Sequence, residues 1–98
     1  MADSDSPAPS KTAERPPLPE LFHAIADQGS AAARRRLVEL DLSRRVRIRN
    51  VAYPEVEADL RARSGGALTT PAFWDGATLL VGEAAVLAAL DRLAATGG

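Results

Sequence analysis

Residues 21–42 read LFHAIADQGSAAARRRLVELDL and contain the pattern that decides the fold. The first six residues are mostly apolar, which is typical of a short strand buried on both faces of a sheet. A glycine then interrupts the run, and good helix formers follow with apolar residues at helical spacing. The stretch therefore predicts a strand over residues 21–26 and a helix over residues 31–42, with Asp27 or Ser30 as its cap.

Strand-like and helix-like segments continue to alternate after this stretch. Residues 45–51, RVRIRNV, alternate charged and apolar side chains, which is typical of a strand near a sheet edge. Pro54 suits the first turn of a helix that we place at residues 54–63, and two glycines at 65 and 66 suit its end.

Residues 71–74 and 78–81 are predicted to be two short strands joined by an Asp75-Gly76 hairpin turn. A last helix follows Gly82, with Glu83 at its N-terminus, where a negative charge is favoured. A right-handed crossover makes the first two strands parallel, and the hairpin adds an antiparallel pair. We therefore predict an α/β fold of order β-α-β-α-β-β-α, a four-stranded mixed sheet with helices on both faces.

The composition changes near Pro19. Residues 1–19 hold five of the prolines and almost no bulky apolar side chains, so we predict a disordered Pro/Ser/Ala-rich tail and a folded domain at 20–98. The tail is either a solvated leader or a polyproline docking segment.

The first residues have no features of a secretory signal, and no run of the chain is apolar enough to span a bilayer. We therefore expect a cytoplasmic protein without membrane contact.

Composition excludes several chemistries. The 98 residues include no cysteine and a single histidine, and the net charge is -1. A chain without cysteine has no disulfide, no thiolate nucleophile and no dithiol redox cycle. One imidazole alone makes no metal site, so we predict no metal and interpret His23 as a satisfied, partly buried strand residue.

The stretch 21–42 resembles the first strand and helix of glutaredoxins and of the N-terminal domain of glutathione S-transferases, which have the thioredoxin-like fold. In that family a reactive Cys or Ser precedes the helix, three residues ahead of a second Cys or Ser. Asp27 stands at the reactive position here and Ser30 at the second, while Asp41 stands where the family prefers Gly. The other matching positions are Arg34, Leu37, Glu39, Leu40 and Leu42.

The resemblance continues through the second half and covers nearly all of the chain after residue 20. Thr70-Pro71 is similar to the family's Thr/Val-Pro, whose proline is cis. Gly82-Glu83-Ala84 is similar to the Glu-Ser helix start that holds the γ-glutamyl group of glutathione, with Ala84 in place of the serine. The resemblance thus implies a site for glutathione or a peptide made by Ser30, Thr70, Pro71, Gly82 and Glu83. Alternatively, Pro71 only fixes a turn and Gly82 only begins a helix.

The departures from the family limit what such a site can do. Asp27 at a helix N-terminus suits a cap, and its lowered pKa would make it a poor base at neutral pH. Ser30 is either a capping serine or, as the resemblance implies, a hydrogen-bond donor to a bound thiolate. Ser30 and Asp27 are therefore candidate catalytic residues only in a transferase.

Seven arginines lie between residues 34 and 49. We interpret them as a solvated face, as a patch for an acidic protein partner, or as a nucleic-acid surface, in that order, because no aromatic residue interleaves with them. The candidate partner patch consists of Arg35, Arg45, Arg47 and Arg49.

The terminal Gly97-Gly98 resembles the end of ubiquitin-like carriers. Those proteins have the β-grasp fold, whose order of strands and helices differs from the order predicted here.

We therefore expect a non-redox, glutaredoxin-like binding or interaction module rather than an enzyme. Its partner is a protein, or it retains a vestigial glutathione site and no other cofactor. The alternative is a glutathione-dependent, transferase-like activity that uses Ser30 at the start of the first helix.

Overall fold

The computed structural model describes residues 18–96 and places them in four strands and three helices. The strands are β1 (Glu20–His23), β2 (Arg47–Asn50), β3 (Ala72–Trp74) and β4 (Leu79–Val81). The helices are α1 (Gln28–Glu39), α2 (Pro54–Ser64) and α3 (Glu83–Ala95). Apart from Leu18 and Pro19, the predicted tail lies outside the described residues, as does the terminal Gly97-Gly98.

The four strands form one mixed sheet in the order β2-β1-β3-β4. β1 pairs with β2 in parallel, and β3 is antiparallel both to β1 and to β4. The predicted α/β class and four-stranded mixed sheet are thereby confirmed.

Alternation of side chains along the two central strands separates two apolar cores. Leu21 and Phe73 are opposite each other and face one core, which α1 and α3 cover. Phe22 and Ala72, the next pair, face the opposite core beneath α2. The first core has nine buried apolar residues and the second has four, so apolar burial is concentrated on the side of α1 and α3.

The first strand and helix are both shifted from their predicted bounds. β1 ends at His23 rather than residue 26, because the chain turns there and the Asp27 N–H bonds to the carbonyl of Ala24 at 3.3 Å. Asp27 is the N-cap, as one alternative predicted, so α1 starts at Gln28. The predicted start at residue 31 was wrong because Gly29 and Ser30 belong to the first turn.

A Schellman motif ends α1 before the predicted residue 42. The Leu42 N–H bonds to the Leu37 carbonyl at 2.9 Å, and the Asp41 N–H bonds to the Val38 carbonyl at 3.0 Å. Asp41 takes a left-handed φ of 58°, the conformation in which glycine is favoured. Leu37 and Leu42 are both buried, which fixes the direction of the chain after the helix.

The connection between β3 and β4 is longer than predicted. Four residues separate Trp74 from Leu79, and the Asp75 N–H bonds to the Thr78 carbonyl at 3.2 Å. The Asp75 carboxylate accepts the N–H groups of Ala77 and Thr78, at 2.8 and 2.7 Å. Asp75 is therefore the first residue of the turn instead of a central one, because its side chain caps the residues that follow.

An ion-pair network fastens α2 to the sheet. Arg49 on β2 bonds through Nη1 to Glu20 on β1, and its Nη2 donates to Asp59 Oδ2 on α2 at 2.8 Å. The Arg49 and Glu20 side chains are each only 8% exposed. A buried charge without a partner is costly. The burial of Arg49 and Glu20 therefore depends on the opposite charge that each has beside it.

Arg63 extends this network to the aromatic side chains of the same face. Its Nη1 lies 3.0 Å from Glu20 Oε1. The two groups form an ion pair, but their geometry is not that of a hydrogen bond. Its guanidinium carbon lies 4.7 Å from the centroid of the Trp74 ring and 5.7 Å from that of Phe22. Charge and aromatic contact thus supplement the smaller of the two apolar cores.

All three helices begin at the same end of the sheet. β1 and β2 are parallel, and β4 runs the same way because two antiparallel pairings separate it from β1. Each of these three strands is followed by a helix, so we call the end with the N-caps Asp27, Tyr53 and Gly82 the upper end. The opposite end, with Asp75, is the lower end.

Replacing Arg49 by Met should lower the free energy of unfolding by about 3 kcal/mol, because it leaves the carboxylate of Glu20 buried with a weaker partner. Arg47→Met, on the same strand but exposed, should change it by no more than about 0.5 kcal/mol. Urea unfolding of both variants measures the difference. Equal effects would mean that the network does not hold α2 in place.

Candidate functional site

Three side chains from two distant segments meet at the upper end of the sheet. Asp27 Oδ2 accepts the Ser30 N–H at 3.2 Å, the Ser30 hydroxyl at 2.7 Å and the Thr70 hydroxyl at 3.2 Å. The carboxylate therefore caps α1 and also fixes the segment that leads into β3. Residues 27, 30 and 70, each singled out from the sequence, form one cluster.

The Ser30 hydroxyl is fully engaged within the protein. Its side chain is buried, with 0% of its surface exposed. It donates its one proton to Asp27 and accepts the Ala24 N–H at 3.1 Å. The serine thus links the start of α1 to the end of β1, and its proton is already used.

The hydrogen bond from the Ser30 hydroxyl is the largest cause that lowers the pKa of Asp27 below its ordinary value of 3.8. The Thr70 hydroxyl and the backbone N–H groups of Ser30 and Gly29 lower it further, while partial burial opposes them. Asp27 is therefore a fixed anion at neutral pH. Its ionisation stabilises the fold above pH 3.8, and this contribution is lost as the pH falls below that value.

The proline of the predicted site packs against the start of α1. The Thr70–Pro71 peptide bond is cis, as the resemblance implies. A Cβ added to Gly29 would lie 3.0 Å from Pro71 Cδ and 3.4 Å from Glu83 Cβ. Because no side chain fits there without a shift, Gly29 lets Pro71 and the start of α3 approach α1 closely.

Some backbone N–H and C=O groups around Pro71 are hydrogen-bonded within residues 18–96 and others are not. The Pro71 carbonyl accepts the Gly82 N–H at 2.9 Å, so this donor is not available to a ligand. In contrast, neither the N–H nor the C=O of Thr70 has a hydrogen-bond partner among residues 18–96. Thr70 is only partly buried, and Glu83 at the start of α3 is exposed. All five predicted ligand residues therefore lie together, and the Thr70 backbone is the part of the group that is left unpaired within residues 18–96.

His23 and Arg34 form a contact that sequence reasoning missed. His23 is 6% exposed, and its Nδ1 lies 2.9 Å from Arg34 Nη1, which also donates to the Ala24 carbonyl at 3.3 Å. Since a guanidinium only donates, Nδ1 is the acceptor and the ring proton is on Nε2. Spacing is the one feature of the sequence that indicates this contact. Arg34 follows Ser30 by one helical turn and therefore lies on the same face of α1.

Burial, and to a smaller extent the charge of Arg34, lowers the pKa of His23 below its ordinary 6.5. The imidazole is therefore neutral at pH 7. Its neutral form favours the folded state, and this contribution is lost as the pH falls below 6.5, where the unfolded chain takes up the proton.

The four arginines of the predicted patch do not form one free surface. Arg49 is buried in the ion-pair network, and Arg45 Nη2 donates to the Leu93 carbonyl at 3.1 Å. Arg35 and Arg47 are exposed and have no ion-pair partner among the described residues. The alternating pattern did not reveal that Arg49 faces the side of the sheet covered by α2.

Between residues 18 and 96, no three His, Asp or Glu side chains come together as a metal-binding group. No helix of that region has the length and apolar character needed to cross a membrane.

Ser30→Ala should reduce the free energy of unfolding by about 1–3 kcal/mol, because it leaves the partly buried Ala24 N–H without an acceptor and removes a donor from Asp27. The matched control is Ser43→Ala at an exposed turn, which should have an effect of at most about 0.5 kcal/mol. Urea unfolding compares the two. If Ser30→Ala is as mild as the control, the hydroxyl does not join α1 to β1.

His23 is the only histidine in the chain, so its ring signals can be followed by NMR without assignment. We expect a pKa below 6.5 in the wild type and a higher one in Arg34→Met, which removes a positive charge. The pKa of the variant should remain below 6.5, because burial is the larger cause. Arg35→Met, at the exposed neighbouring position, should leave the titration unchanged; a rise there, or none in Arg34→Met, would contradict the contact.

Comparisons with known proteins assign no family. No protein-family model, no curated protein and no solved structure matches the chain. The geometry of Asp27, Ser30, Thr70 and Pro71 is therefore the basis for interpreting the site.

Proposed function

We propose that the chain is a thioredoxin-like, glutaredoxin-like module without redox chemistry, and that it binds an extended segment of a protein partner alongside Thr70. The β-α-β-α-β-β-α order and the mixed sheet support the fold assignment. The Thr70–Pro71 segment at the start of α1 supports the position of the site. Disulfide exchange is excluded because the chain has no sulfur nucleophile.

The free backbone of Thr70 is the observation on which this proposal depends. An N–H and a C=O without partners among residues 18–96, just before β3, can pair with an extended peptide as an added strand would. Asp27 is held next to them by the Thr70 hydroxyl. A peptide in this position therefore meets a backbone pairing edge and a fixed negative charge together.

Charge favours a peptide with a cationic side chain over glutathione. Asp27 is ionised, and the upper end also has Glu83 at the start of α3 and Glu55 in the first turn of α2. Glutathione has two carboxylates and one amine, so it meets net repulsion from these groups. A lysine or arginine of a protein segment instead gains attraction. A vestigial glutathione site is thus the weaker form of the proposal.

The transferase alternative receives less support from the same geometry. A serine that stabilises a bound thiolate must offer its hydroxyl proton to the ligand. Ser30 is buried and donates that proton to Asp27 at 2.7 Å. Its hydroxyl would first have to leave both Asp27 and the Ala24 N–H.

Titration of the ¹⁵N-labelled protein with two probes tests the binding proposal. The probes are the capped tripeptide acetyl-Ala-Lys-Ala-amide and glutathione. We expect saturable amide shifts centred on residues 69–72 with the lysine peptide, and weaker or no shifts with glutathione. Asp27→Asn keeps a capping oxygen but removes the charge, so it should weaken peptide binding by roughly a factor of two to five.

Asp41→Asn is the matched control, since it removes one carboxylate at an exposed turn whose left-handed φ asparagine tolerates. It should leave the affinity of the peptide unchanged. Tighter binding of glutathione than of the lysine peptide, or shifts remote from Thr70, would overturn the proposal.

A further inference from the structure

An apolar cavity of about 330 Å³ lies at the lower end of the sheet, remote from Asp27 and Thr70. It opens between the second half of α3 and the two strands β3 and β4. Its walls are Phe73, Leu80, Ala89 and Leu93. This volume is at the small end of the range of ligand pockets, and it matches a ring with a short chain.

Arg92 brings a positive charge to the mouth of this cavity. It lines the cavity, is exposed and has no ion-pair partner within residues 18–96. Asp75 also lines the cavity, and its Oδ1 accepts the N–H groups of Ala77 and Thr78. These N–H groups, and to a smaller extent the charge of Arg92, lower the pKa of the carboxylate, which therefore stays negatively charged. Within residues 18–96 the two side chains form no ion pair, so the Arg92 guanidinium is available to a ligand.

A second arginine is tied to a residue that lines the cavity. Arg45 Nη2 donates to the carbonyl of Leu93, which belongs to the lining. The Arg45 guanidinium therefore brings a second positive charge close to the C-terminal end of α3.

The C-terminus of α3 is also at this end, and its partial negative charge would oppose an anion. The protein neutralises much of this effect. The Leu93 carbonyl accepts both the Arg45 guanidinium and the Thr96 hydroxyl, and the Arg92 carbonyl accepts the Thr96 N–H at 3.1 Å. The Leu93 and Arg92 carbonyls are thereby satisfied, and the guanidinium groups of Arg92 and Arg45 outnumber the single carboxylate of the lining, that of Asp75.

We propose that this cavity binds a small amphiphilic carboxylate, with its apolar part between α3 and the sheet and its carboxylate on Arg92. An apolar interior selects for a ring or short alkyl stem, and a guanidinium pairs with a carboxylate through two parallel hydrogen bonds. The site is independent of the peptide site, because the two lie at opposite ends of the sheet.

Two probes that differ in one group test this inference. The probes are 4-phenylbutyrate and 4-phenylbutan-1-ol, which share the ring and chain and differ in the charged end. In ¹H–¹⁵N spectra of the full chain at low salt, the carboxylate should give saturable shifts at residues 80, 89, 93 and 96. The alcohol should bind at the same residues at least threefold more weakly, because it forms no ion pair.

Arg92→Gln should reduce the affinity of 4-phenylbutyrate by roughly threefold to fivefold and leave that of the alcohol unchanged. The control is Arg44→Gln, which removes the same charge from an exposed position that has no contact with the lining. It should have no effect beyond a small loss of general attraction. Since both residues are exposed, neither variant is expected to unfold the protein.

Equal affinities for the two probes would overturn the proposal, because they would show a cavity without selection for an anion. Shifts centred on Thr70 rather than on α3 would place the carboxylate at the other end and overturn it too. An absence of saturable shifts at millimolar probe would show that the cavity takes no such ligand. None of these outcomes changes the test of the peptide site, which has a different probe and different residues.

Discussion

The carboxylate of Asp27 is the constraint on which the upper end of the molecule depends. It begins α1, orients Ser30 toward the end of β1 and holds Thr70 before β3. In the redox family that the sequence resembles, this position belongs to a sulfur or hydroxyl that must be free to react. An ionised Asp27 does the opposite: it immobilises its neighbours and supplies no thiol or hydroxyl nucleophile at this position.

The direction of the helices accounts for the positions of eight charged residues. Because all three helices start at the upper end, that end has the positive poles of their dipoles, and the lower end has the negative poles. Four acidic residues lie at the positive poles and four arginines lie at the negative poles. The acidic positions are Asp27, Glu55, Glu57 and Glu83, and the basic ones are Arg36, Arg61, Arg63 and Arg92. These four arginines therefore complement the helices.

Much of the fold could be predicted from local patterns, and the errors have physical causes. The α/β class and the succession of strands and helices along the chain followed from alternating periodicities and from the turns between them. The bounds of α1 could not be placed, because a side-chain hydrogen bond from Asp27 and a backbone motif at Asp41 decide them. The role of Arg49 was hidden because residue spacing does not reveal which acidic partners a strand meets across a sheet.

The sequence predicted which residues form the candidate site, but not every hydrogen bond that these residues make. The resemblance brought Ser30, Thr70 and Pro71 to one place, whereas the direction of the Ser30 proton depends on a side-chain contact with Asp27 that residue spacing does not decide. The contact of Gly29 with Pro71 couples two distant positions of the chain. A Cβ at position 29 requires its neighbours to give by a few tenths of an ångström, so we expect the energetic effects of substitutions at 29 and 71, on opposite halves of the chain, to be non-additive.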